Sequence, residues 1–181
     1  AKARGRRQGV IYSAQMSNAA RARRLIERDL RDAIENGDLY MAYQPVHAIG
    51  SNTENEVEAL IRWRQPQLGE LAPEAFVHVA EQSNLIVSLG QAVFGMVMRQ
   101  LQKWPEMHVS INLSPRELRS NELLRFVRNG CREYGISPDR ITFEITEGVA
   151  IDDSAKANLI LQSLRSIGFR IALDDFGTGY A

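Results

Sequence analysis

The chain has 181 residues, 44% hydrophobic and 24% charged, an ordinary composition for a globular domain with a sizeable core. The formal charge is zero, no run approaches the roughly 18 apolar residues of a membrane span, and no apolar core follows the basic N-terminus. A membrane helix and a secretory leader are therefore not expected; the reading is cytoplasmic, with any membrane anchor left to a longer parent. Cys131 stands alone, which excludes an internal disulfide, and His47, His78 and His108 are too scattered to suggest zinc.

Lys2, Arg4, Arg6, Arg7, Arg21, Arg23 and Arg24 precede the first acid, so the remaining residues carry a net charge of −7. This arm lacks aromatic interleaving or any nucleic-acid motif, so it reads as a solvated tail and no nucleic-acid polymer is expected as a partner. Residues 1–17 read as a tail, with one short strand at 9–12. Leu25, Ile26, Leu30, Ala33 and Ile34 then recur at helical spacing and Gly37 suits the stop, giving a linker helix over 18–37.

From residue 38 the pattern alternates. Strands are expected at 39–46, 56–63, 108–113, 141–146 and 169–174, and helices at 73–81, 87–104 and 154–167. Ser114 and Glu117 have capping-box spacing, so one or two helical pieces should run from there to Tyr134 and stop at Gly135. The alternation argues for a parallel α/β sheet, either open and doubly wound or part of a barrel. No Gly-rich phosphate loop follows the first strand, which counts against a dinucleotide-binding sheet.

Four of the five strands carry an acid or amide in or at the end of an apolar run: Glu58, Asn112, Glu144, and Asp174 with Asp175. One buried carboxylate could be a structural hydrogen bonder. Four in register need a shared explanation, because C-terminal strand ends converge on one face of such folds. Hard oxygen donors suit Mg²⁺ or Mn²⁺, and less closely Ca²⁺. Strand parity puts Glu58, Leu60 and Arg62 on one face and Ala59, Ile61 and Trp63 on the other. Glu58 could then hold metal while the Arg62 fork holds a phosphate oxygen, against the simpler alternative of a Glu58–Arg62 ion pair. If the backbone turns at Asp174–Asp175, the two acids can reach two different ions. Such a site suits hydrolysis of a phosphodiester.

The ordered set Tyr43-Gln44-Pro45, Glu58-Ala59-Leu60-Ile61-Arg62-Trp63, Asn112-Leu113-Ser114, Glu144-Ile145-Thr146-Glu147 and Asp174-Asp175-Phe176-Gly177-Thr178-Gly179-Tyr180 resembles the EAL domain family. An enolase-like or other metal-dependent barrel lacks this ordered set. The resemblance implies a modified (β/α)₈, TIM-like barrel of which about five of eight strands are present over 38–181. It implies cleavage of cyclic di-GMP to pGpG with two Mg²⁺ or Mn²⁺ ions. Glu58, Asn112, Glu144 and Asp174 would be ligands of the first metal, Asp175 would serve the second, and Glu147 would support a loop beside them. Gln44, Leu60 and Arg62 would touch substrate.

The general base of the family, a further lysine and a last glutamine would lie beyond Ala181. The fragment alone is therefore expected to turn over little, to be unstable or aggregate, and to need a second copy or the missing strands as partner. An inactive member acting as a cyclic di-GMP receptor or interaction module is the alternative. Ala1-Lys2-Ala3-Arg4-Gly5-Arg6 is similar to the closing segment of a GGDEF domain, which implies an upstream GGDEF or sensory domain in the parent. Gln65 and Asn84 depart from the histidine and glycine that the family usually has at these places, and Ala181 from its serine.

Overall fold

In the computed structural model the described residues are 14–46, 55–146 and 155–174, with side chains described from residue 21. The expected strand at 9–12 lies outside them. The chain enters on α1 (Ala14–Asn36), whose Leu30 and Ala33 are buried as the helical spacing predicts, and Gly37 ends it at φ 82°. There follow β1 (Leu39–Pro45), β2 (Glu56–Gln65), β3 (Gly69–Leu71), α2 (Val77–Ser83), α3 (Ile86–Leu101) and β4 (His108–Asn112). The rest is α4 (Pro115–Leu118), α5 (Leu123–Tyr134), β5 (Ile141–Thr146), α6 (Ala155–Ile167) and β6 (Arg170–Asp174).

The six strands form one sheet in the order β1-β2-β4-β5-β6, with β3 beside β2. Strands β2, β4, β5 and β6 run parallel, each joined to the next by helices. The expectation of a wholly parallel sheet fails at β1, which pairs antiparallel with β2, Gln44 opposite Glu58 and Tyr40 opposite Arg62. The physical reason is the connection: about ten residues between two strands are too few for a crossover helix, so the chain returns alongside itself. β3 was not expected either; three residues are too short to show a period. It folds back antiparallel on the end of β2, pairing Glu70 with Arg64.

The helix expected at 73–81 is split into a 3₁₀ turn (Pro73–Ala75) and α2, and the one expected to reach 104 stops at Leu101. Asn84 ends α2 in the left-handed region at φ 64°. Glycine is the default residue there and asparagine the next best, which accounts for that departure from the family pattern.

Alternation in β2 is complete. Val57, Ala59, Ile61 and Trp63 are buried under helices, while Glu56, Glu58, Leu60 and Arg62 on the other face are half-buried. One apolar cluster lies between β4, β5, β6 and α3, α5, α6, around Val97, Val109, Ile141 and Leu164. A second joins α1 and α2 to β1 and β2 around Leu30, Trp63 and Phe76, the two rings packing edge to face 5.6 Å apart. Gln65, at the end of β2, is also buried. Its side-chain oxygen accepts from the backbone N–H groups of Gln67 and Leu68 (2.6 and 2.5 Å), and its amide donates to Asp29 of α1 at 3.3 Å. The residue thus ties the β2–β3 turn to the incoming helix.

Candidate active site

The functional side chains stand on the face of the sheet away from the helices. Register sets their rows. Glu58 lies beside Ser110, which lies beside Thr142; Asn112 lies beside Glu144; and Thr146 lies beside Asp174. All of these positions share strand parity, so their side chains project to one side. The predicted ligands Glu58, Asn112, Glu144 and Asp174 therefore share one face; Asn112, Glu144 and Asp174 lie at or near the C-terminal ends of β4, β5 and β6, while Glu58 is the third residue of β2, level with Ser110. Glu147 and Asp175 lie outside the described residues.

The Asn112 side-chain nitrogen donates to Glu58 Oε1 at 2.8 Å across two strands that are 54 residues apart in sequence. The bond uses the Asn112 side-chain nitrogen, and the side-chain oxygen is of the hard type that suits a divalent cation. Glu144 is half-buried, and its carboxyl is held above the usual carboxylate range. Burial is the largest cause; a hydrogen bond from Ser110 opposes it, and the nearby acids Glu58, Asp174 and Glu56 push the same way as burial.

Sequence reasoning missed Ser110 and Glu56. Ser110 is buried beneath Glu144, and Thr142, also buried, donates to Glu56 at 3.5 Å. Parity was the available signal: Ser110 sits two residues before Asn112, and Glu56 two before Glu58.

Among the described residues no three His, Cys, Asp or Glu side chains converge into a cluster able to hold a metal. The donor set nonetheless fits a hard divalent ion. It is all oxygen, it lies on one face, and Glu58, Asp174 and Glu56 raise the proton affinity of Glu144, a repulsion that a cation relieves.

Gln44 is exposed opposite Glu58. Leu60, Asn112, Glu144 and Thr146 line one side of a cavity of about 530 Å³. Arg62 does not pair with Glu58; it donates to the carbonyl of Ile61 at 2.9 Å. The ion-pair alternative is thereby set aside.

The profile of the EAL domain family matches residues 27–181. The chain is 33% identical over 186 aligned residues to the bifunctional diguanylate cyclase/cyclic di-GMP phosphodiesterase MucR of Pseudomonas aeruginosa. It is 32% identical over 185 to the cyclic di-GMP phosphodiesterase PdeR of Escherichia coli. Both matches cover all of this chain but only 27% and 28% of those proteins, so the chain spans about a quarter of their length. A solved structure of the MucR phosphodiesterase in complex with cyclic di-GMP superposes with a TM-score of 0.80 at 35% identity, covering 87% of this chain and 66% of that one. The sheet described above is the corresponding part of a TIM-like barrel.

Proposed function

Because the chain belongs to the EAL domain family, we propose that the protein carrying it hydrolyses cyclic di-GMP to the linear dinucleotide pGpG. The observation that supports this most directly is the Glu58–Asn112 contact with Glu144 in the next register position, which gathers the motif residues of three strands on one face. MucR and PdeR, both similar to this chain, are named for cyclic di-GMP phosphodiesterase activity.

In this reading Glu58, Asn112, Glu144 and Asp174 would hold one Mg²⁺ or Mn²⁺ and Asp175 would serve a second. Such ions acidify a bound water and steady a leaving oxygen. The chain's own residues do the rest. Asn112 fixes the Glu58 carboxylate by its 2.8 Å bond, and Ser110 favours the charged form of Glu144 against burial. Arg62, with one nitrogen on the Ile61 carbonyl, offers its remaining donors to a phosphate oxygen. Gln44 and Leu60 give the substrate a polar and an apolar contact beside it, and Glu147 supports the neighbouring loop. The general base is placed outside this chain. An upstream GGDEF domain before residue 18 follows from the text of residues 1–6 and is in keeping with MucR, a bifunctional relative.

The test is hydrolysis of cyclic di-GMP with Mg²⁺ or Mn²⁺, followed by separation of pGpG. Chelation of the metal and Glu58→Ala should each reduce turnover at least a hundredfold, as expected for removal of a metal ligand or of the ion. Turnover that survives Glu58→Ala would refute the assignment. Tight binding without turnover would move the protein to the receptor class.

A further inference from the structure

Farther along β2 a second pair of groups stands on the same face. Alternation puts Arg64 in line with Glu58, Leu60 and Arg62, about 13 Å beyond Leu60 at the usual rise of a strand. Its guanidinium lies over the ring of Tyr40, 4.5 Å from the centroid. Tyr40 is the register partner of Arg62, and Glu70 of β3 pushes the Tyr40 hydroxyl above its ordinary range. Glu70 in turn is the register partner of Arg64. Three strands therefore fix the ring and the guanidinium in one stack. Arg64 is exposed, with its backbone N–H on the Asp38 carbonyl and its guanidinium on the Tyr40 ring.

We infer that the Arg64–Tyr40 stack is a platform for the guanine base of the substrate that lies farther from the carboxylates. The inference rests on the proposed cyclic di-GMP reading and deepens it. A cyclic dinucleotide carries its two bases on opposite sides of the phosphate–ribose ring. With one phosphate at the acids and Arg62, a base that extends along the strand reaches Arg64.

A guanidinium with one face on an aromatic ring keeps its edge N–H groups free for a ligand lying in its plane. Its edge N–H groups match guanine O6 and N7; adenine offers an amino donor where O6 would be and rejects the same pairing. Strand pairing and the contact between the guanidinium and the ring place Tyr40 and Arg64 together before ligand arrives, so little ordering is left to binding. The two arginines divide the work, Arg62 for phosphate and Arg64 for base. A lysine would keep the charge and lose the plane.

The experiment is calorimetric titration of the protein that carries this chain with cyclic di-GMP and with cyclic di-AMP. Wild type, Arg64→Ala, Arg64→Lys and Tyr40→Ala are compared, each with its thermal midpoint. Wild type should prefer cyclic di-GMP. Arg64→Ala should weaken cyclic di-GMP binding by roughly tenfold and narrow the preference over cyclic di-AMP, with the midpoint unchanged. Arg64→Lys should not restore it. An unchanged preference ratio, or equal weakening of both ligands, overturns the inference alone. A wild type that binds neither ligand overturns the proposed function and this inference with it.

Discussion

At Glu117 one carboxyl is both a helix cap and a buried acid. Ser114 Oγ accepts from the Glu117 N–H at 3.2 Å, and Glu117 Oε2 accepts from the Ser114 N–H at 3.0 Å. Burial pushes the acid up to about 7, against the pull of those Ser114 bonds, with Glu81 adding to the rise. The folded state therefore holds this proton more tightly than the unfolded chain does. Its contribution to stability is fully present below pH 4.5, the ordinary value, and is lost as pH rises to about 7. Glu117→Gln keeps the acceptor oxygen and cannot ionise. It should flatten the pH dependence of stability and exceed wild type at pH 8 by on the order of 2 kcal/mol. Urea denaturation at pH 5 and pH 8 reads this, and equal slopes for the two proteins would sink it.

Elements show how much was legible beforehand. The Ser114–Glu117 box was readable because its two hydrogen bonds span four residues. Ser114→Ala should cost about 1 kcal/mol, read as a lowered midpoint; no change would mean that tertiary packing alone holds α4. Gly135 and Gly168 were readable as stops because each needs a positive φ, 67° and 114°. Gly90 was not. A methyl group there would lie 1.6 Å from Glu117 Oε1, a crowding that exists only once α3 and α4 have met. The face shared by Glu58, Asn112 and Glu144 followed from period two and parallel register. The direction of β1 and the presence of β3 did not, because each depends on how a strand returns to β2 and not on its own pattern. Ser110 reads as a small residue in an apolar strand until register places it under Glu144.

On the scale of the whole molecule, β6 is the last strand in the sheet order, and Leu173 on it is 49% exposed. An edge that has no neighbouring strand among the described residues, beside an apolar side chain, is a template for pairing with another chain. These 181 residues purified alone should run larger than one copy on size exclusion, with light scattering rising with concentration. Leu173→Lys should reduce that association by placing a charge on the edge. A monodisperse, cooperatively melting single copy would remove the expectation.

The joint at Gln65 has one more consequence. Where the family usually carries imidazole, this chain carries an amide, which grips the β2–β3 hairpin with its oxygen and the incoming helix with its nitrogen. An imidazole changes its donor count near neutrality, at about pH 6.5; an amide does not. Whatever strain α1 delivers to the strand bearing both arginines is thus passed on by a coupling that neutral acidification leaves mechanically the same.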